Sequence, residues 1–289
     1  MTPFQQKLSN PIQLPSLAKN IHVLMQALAK DSLTYKQLAE VIKHYPVITS
    51  RIIFLANSPW SAPIAPINSI EQACSRLGIS MVKSISIAIS VASSFDTQKC
   101  PEFCMVRYWS TSMLVAEGAG LLAAKLPNNP DHNELELIAQ TSGVLHNLGL
   151  LWLADKLPNE TARAFQQIEN DPLLTVSKTL KQSTGADYCE VGAWIGNQLQ
   201  LPDSLISVMQ HHRNEDYQEE SWELALLVGA AAEMVSALHQ QLDDIPINTR
   251  LETLGLDSSE QKLIYQKLAK DFDKTRELVE TLFLKANPC

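Results

Sequence analysis

The chain has 289 residues, of which 45% are hydrophobic, with a formal net charge of -8 and a pI of about 5.4. That length suits one large domain or two intimate lobes around a sizeable core. The acidic balance, with no dense Lys/Arg run, argues against nonspecific binding to nucleic acid or anionic membrane, which depends on clustered cations.

In chain order, Leu17, Ile21, Leu24 and Leu28 fall at helical spacing and form one apolar stripe. Leu38, Val41, Ile42 and Tyr45 repeat the pattern, and Pro46 suits the first turn of a new helix, where a missing N–H costs nothing. That helix runs through Ile48, Ile52 and Leu55 and stops near Asn57-Ser58-Pro59. The segment 60–67, with Pro63 and Pro66 just after Pro59, reads as a loop carrying Trp60. Ser69-x-x-Gln72 is a capping-box pattern, Gly78 interrupts the helix it opens, and 80–92 continues as an apolar helix. A polar break at 93–102, with Pro101, marks a lobe boundary.

Helices are then predicted over 106–126, 135–156, 160–170, 173–183, 187–199, 203–213 and 222–242, and over 258–285 behind the capping residues Asp257 and Ser258. No strand-like alternation persists. The expected fold is all-α, with an N-terminal helical lobe at 1–100, a second helical lobe at 101–242 and a C-terminal helical extension at 243–289. The first ten residues lack the apolar run of a signal peptide, and no stretch of about 18 apolar residues is free of charge, so neither export nor a membrane span is expected. The five cysteines form no disulfide framework. A zinc reading of Cys100 and Cys104 has only His132 as a neighbouring ligand, so idle thiols in a reducing cytoplasm are expected.

The chemistry-bearing residues lie in a series of short motifs. Leu14-Pro15-Ser16-Leu17, Leu38-Ala39-Glu40-Val41-Ile42, Tyr45-Pro46-Val47, Leu55-Ala56-Asn57-Ser58 and Leu77-Gly78 occupy the N-terminal part. Tyr108-Trp109-Ser110-Thr111-Ser112, Val144-Leu145-His146-Asn147-Leu148-Gly149, Asp187-Tyr188-Cys189-Glu190-Val191-Gly192-Ala193 and Leu201-Pro202 followed by His211-His212 occupy the rest. This order resembles the HDOD domain, the HD-related output domain of bacterial signalling proteins, over about residues 11–240. The resemblance implies an HD-like helical bundle related to metal-dependent phosphohydrolases, in which histidines and aspartates from several helices hold one or two divalent metals. The metal lowers the pKa of a bound water to give a hydroxide that attacks phosphorus.

Against that pattern the ligand set is depleted. Thr111 stands where the family's first helix often carries His, Asn147 replaces the Asp, and Tyr188 replaces the next His. The late Asp falls near Ala231 or Ala232, and Glu233 is one residue off, about 100° around the helix. His146, His211 and His212 remain as metal candidates, a set too small to bind well. His212 follows Leu205 and Met209 on an apolar stripe, the pattern of a buried, hydrogen-bonded imidazole, while His211 and His212 near a helix end also suit the dipole there. The count therefore favours a degenerate site of structural histidines, with no catalytic residue and no required cofactor. Adventitious Zn, Ni, Mg or Mn can still be trapped during purification.

A helix-turn-helix reading of 69–90 fails because its second helix is apolar with one Lys, which suits core packing. Trp109, Trp152, Trp194 and Trp222 fit interhelical packing, and Trp60 is the candidate for an interface. The expected role is a noncatalytic signal-transduction module, standing alone without a sensor, receiver, GGDEF or EAL segment. It would bind a signalling partner in a cyclic-di-GMP or chemotaxis-like pathway, or a small ligand in the groove between the lobes. The alternative is a metal-dependent phosphohydrolase acting on nucleotides or cyclic dinucleotides, and a nucleic-acid binder ranks third.

Overall fold

Short amphipathic helices joined by capped turns build the N-terminal lobe of the computed structural model. The structure describes residues 33–58, 61, 63–127, 132–171, 173–242 and 245–283, together with Phe4, Leu24 and Ala27. Helix α1 (Tyr35–Ile42) opens on Thr34, whose hydroxyl accepts from the Gln37 N–H. Pro46 occupies the first turn of α2 (Pro46–Ala56). Ser69 Oγ accepts from the Gln72 N–H and opens α3 (Ile70–Leu77), as its spacing predicts; such a cap stabilises a helix by about 1 kcal/mol. Gly78, at φ +84°, turns the chain by 112° into α4 (Ile79–Ala92), so the expected interruption is a sharp corner between two helices. The stripe at 17–28 and the loop residue Trp60 lie outside the described residues, apart from Leu24, which is fully buried.

The second lobe is organised by α5 (Met105–Ala124). It packs on α6 (His132–Leu145), on α12 (Trp222–His239) and on the long C-terminal helix α14 (Ser258–Phe283). Between these run α7 (Leu148–Lys156), α8 (Pro158–Asn170), α9 (Val176–Thr184), α10 (Tyr188–Gln198) and α11 (Asp203–His211), and a short α13 (Thr249–Thr253) precedes α14. Among the described residues there are no strands. The single helix predicted at 135–156 is two helices, α6 and α7, broken at His146-Asn147. The helix expected from 173 begins at Val176, where Thr175 caps it.

One continuous hydrophobic cluster runs from Leu38, Ile42 and Ile52 in the first lobe to Trp152, Val191 and Met209 in the second. A second cluster joins α5, α12 and α14 through Leu114, Val228, Met234 and Leu268. Two stretches, 134–156 and 222–239, are long and apolar enough to cross a membrane by length and composition, a reading the charge-free window excluded. Most of each is buried inside the protein, against neighbouring helices.

The break between α6 and α7 depends on glycine. A Cβ on Gly149 would sit 2.0 Å from the Tyr188 carbonyl oxygen and 2.7 Å from the Gly192 nitrogen, so α7 and α10 touch backbone to backbone. Gly143 lets α6 approach α5 in the same way, with a Cβ there only 2.4 Å from Ala116 Cα. Backbone cannot retreat as a side-chain tip can. We expect Gly149→Ala to cost about 3 kcal/mol or more in urea unfolding, at the upper end of overpacking penalties; a loss below about 0.5 kcal/mol would show that the two helices are not held in this contact.

Candidate functional site

The family-like motifs converge on one cleft of about 380 Å³. Thr111 reaches it from α5, His146 and Asn147 from the break before α7, and Tyr188 from the first turn of α10. Asp187 and Glu190 form a reciprocal capping box that fixes the start of α10, and with it the backbone of Tyr188.

His146 is buried, and its Nδ1 lies 2.7 Å from the Gly143 carbonyl oxygen. A carbonyl only accepts, so Nδ1 carries the proton and Nε2 presents a lone pair. His212 is buried beside it, with the two rings edge to face and 5.3 Å apart. Its Nδ1 donates to the Val208 carbonyl at 2.9 Å, leaving Nε2 to accept from the Tyr188 hydroxyl at 3.2 Å. The Tyr188 oxygen in turn accepts from Arg213 Nε at 3.1 Å. Donors and acceptors thus run in one consistent direction, from Arg213 through Tyr188 and His212 to Val208. Burial pushes His146 down to about 4, with Arg213 contributing. Burial, His146 and Arg213 together push His212 well below the ordinary imidazole range. Burial also raises the Tyr188 phenol, which stays protonated and able to donate.

Asn147 is also internally satisfied. Ser112 Oγ lies 3.0 Å from Asn147 Oδ1 and 3.0 Å from the Tyr108 carbonyl, and Asn147 Nδ2 reaches that same carbonyl at 3.4 Å. The amide thereby pins the α6–α7 break to α5. A carboxylate in its place could not donate to the Tyr108 carbonyl.

His211 does not join the other two histidines. Its ring stacks flat on Tyr217, with centroids 3.9 Å apart and planes 3° from parallel, so the expected trio of His146, His211 and His212 reduces to a pair. Of the positions read for the late Asp, Ala232 lines the cleft, and Ala231 packs against Gly118. Glu233 faces a separate cleft of about 230 Å³ that also contains Trp222 and Arg250. Sequence reasoning missed His239 at the end of α12. Its Nε2 lies 2.9 Å from Thr111 Oγ1, and burial, aided by Arg107 and Arg276, pushes it down to about 3. Only its place at a helix end was visible in the sequence, since its partner is 128 residues away.

The residues present do not fit a divalent metal. His212 Nε2 already accepts from Tyr188, Asn147 Oδ1 shares the single Ser112 hydroxyl proton with the Tyr108 carbonyl, and of these three atoms only His146 Nε2 lacks a partner among the described residues. The field of Arg213 reaches both imidazoles and opposes a cation. Among the described residues no group of three His, Cys, Asp or Glu side chains is placed to hold a metal ion. Cys100 is buried, and Cys104 Sγ accepts from the Arg107 N–H as the cap of α5; the side chain of His132 lies outside the described residues.

The HDOD domain family model matches residues 14–215. No curated protein matches the sequence. A protein from Marinobacter aquaeolei VT8, provisionally assigned to signal transduction, superposes with a TM-score of 0.81 at 19% identity, over 97% of this chain and 65% of that one. The chain therefore spans just under two thirds of that relative's length. An HDOD domain protein of unknown function from Geobacter sulfurreducens gives a TM-score of 0.73 at 20% identity, over 98% of this chain and 97% of that one. A provisionally assigned phosphohydrolase from Shewanella amazonensis SB2B also gives 0.73, at 24% identity, over 97% and 98%. At such identities the likeness establishes the shared fold.

Two predictions follow from the geometry. Because His146, His212 and His239 have depressed values in the folded state, the unfolded chain takes up their protons first as pH falls below about 6.5. Stability is then constant above that pH and lost below it, by about 2 kcal/mol per histidine between pH 7 and pH 5. Urea unfolding at the two pH values measures this, and His146→Gln should remove one histidine's share. Asn147→Asp should cost about 1–3 kcal/mol at pH 7, since it buries a carboxylate against the Tyr108 carbonyl and loses a donor; equal midpoints for the variant and the parent would refute the pinning role.

Proposed function

The chain belongs to the HDOD domain family, and on that premise we propose that it is a noncatalytic signal-transduction module whose degenerate HD site binds a protein partner or small ligand. The observation that carries this reading is the closed hydrogen-bond chain at the former ligand positions. Tyr188 and His212 bond to each other and to Arg213 and the Val208 carbonyl, while Asn147 is held separately by Ser112 and the Tyr108 carbonyl, so these groups are used to fix the fold. Metal-assisted hydrolysis needs an open coordination position beside several anionic or imidazole donors. Asn147 and Thr111 supply no charge, and Arg213 supplies the wrong one.

Support for a signalling role comes from the family and from the Marinobacter relative, provisionally assigned to signal transduction. The proposed setting is the bacterial cytoplasm, with a signalling protein as partner in a cyclic-di-GMP or chemotaxis-like pathway and no cofactor required. A metal-dependent phosphohydrolase is the second reading. The feature in its favour is the pair His146 and His212, each with Nδ1 bonded to a backbone carbonyl, the tautomer that metal-binding histidines use.

The full chain, assayed with Mg, Mn, Zn and Ni against nucleotides and cyclic dinucleotides, should show no turnover above buffer. Metal-dependent phosphate release that disappears in His146→Ala would overturn the noncatalytic reading.

A further inference from the structure

Three of the chain's seven arginines line the cleft that carries the HD-like motifs. They come from separate elements: Arg107 from α5, Arg213 from the turn after α11, and Arg276 from α14. On a chain with a net charge of -8, this concentration is not a general surface property. None of the three has its whole guanidinium tied up in the fold among the described residues. Arg107 makes no side-chain hydrogen bond among the described residues, and Glu169 is the carboxylate whose field reaches it. Arg213 uses Nε on Tyr188, and Arg276 uses Nε on Glu280 at 3.3 Å. The terminal nitrogens of all three are open to an incoming group among the described residues.

Two carboxylates share the cleft. Glu102 is tied by Oε1 to Gln166 at 2.7 Å, and Glu169 lies on the exposed face of α8. The imidazoles add no charge, since His146 and His239 are held neutral. The lining itself holds three guanidinium ions against two carboxylates, while Glu280 pairs with Arg276 from outside it and the field of Glu233 reaches Arg213. The floor differs from the rim. His146 Nε2 offers a lone pair without a partner among the described residues, which calls for a hydroxyl or amine donor on the ligand. Phe165, Ile168 and Val176 form an apolar wall. The volume of about 380 Å³ suits one small organic molecule.

We propose that this cleft binds a phosphate monoester of a small hydroxylated, ring-bearing molecule, with the phosphoryl group against Arg107, Arg213 and Arg276 and a ligand hydroxyl on His146 Nε2. A carboxylate fills one guanidinium fork, whereas a tetrahedral dianion with three terminal oxygens can engage guanidiniums from several directions at once. The arginines occupy the cationic role that a metal holds in the catalytic relatives, and they bind the ester without generating a nucleophile. The proposal rests on the noncatalytic reading only in that the bound ester is retained intact.

Isothermal titration of the full chain in EDTA tests it, with adenosine and guanosine 5′-monophosphates and glucose 6-phosphate as probes and succinate as the carboxylate control. The expected result is one-to-one binding by at least one phosphate monoester, at least tenfold tighter than succinate. Arg107→Gln and Arg276→Gln, both exposed positions, should each weaken it about tenfold or more with unchanged thermal midpoints. No binding by any of the three esters at millimolar concentration overturns the site, as does succinate binding equally well or affinity unchanged in the double variant. Each bound ester is also incubated with added Mg, Mn or Zn. Phosphate release there would sink the noncatalytic reading while leaving the site standing, whereas absent binding by an inert protein would sink the site alone.

Discussion

The backbone contact between Gly149 and the first turn of α10 sets the geometry of everything around it. Because α7 cannot approach Tyr188 and Gly192 so closely as a continuation of α6, the helical run breaks at His146-Asn147. The break turns these two side chains into the interior, His146 toward His212 and Asn147 toward Ser112. The same contact places Tyr188 where its hydroxyl can reach His212. Two helix pairs meeting through glycine thus adjoin a buried polar centre.

A buried polar centre is tolerated only when its groups are paired, since an unpaired donor or acceptor costs about 1–3 kcal/mol. In the catalytic relatives a metal ion can serve as that partner. Here the partners are protein groups: a guanidinium and a phenol complete the chain at His212, Ser112 and the Tyr108 carbonyl hold the Asn147 amide, and two imidazoles remain neutral. Asn147 and Tyr188 bring no charge, and Arg213 puts a positive group within reach of both histidines. The fixed charge nearest the two histidines is therefore positive, which disfavours a cation there.

Much of this was legible in the sequence, in particular ways. The 3.6-residue period located most helices, the Ser69 cap fell where its spacing placed it, and the order of motifs indicated the family. The stripe through Leu205 and Met209 turned His212 inward. The same stripe left His211 on another face, because adjacent helix positions differ by about 100°, and the ring packs on Tyr217 instead. The break at His146-Asn147 was hidden because both halves are apolar and carry no Pro; the glycines responsible act by contact with distant backbone. His239, Arg107 and Arg276 were invisible for the same reason. His239 meets Thr111 across 128 residues of chain, Arg107 and Arg276 reach the same cleft from separate helices, and no local pattern reports that.

Arg213 ties the two clefts together. It lines both, with Tyr188 on one side and the field of Glu233 acting from the other. Glu233 is half-buried, and burial raises its carboxyl while Arg213 opposes that rise. A group on Arg213 in the larger cleft therefore competes with Glu233 for the same guanidinium. The backbone beneath is stiff, because Gly229 of α12 lies against the His212 carbonyl with no room for a Cβ between them. A group bound to Arg213 would act first on side-chain charge, since the close contact at Gly229 leaves the backbone there little room to move inward.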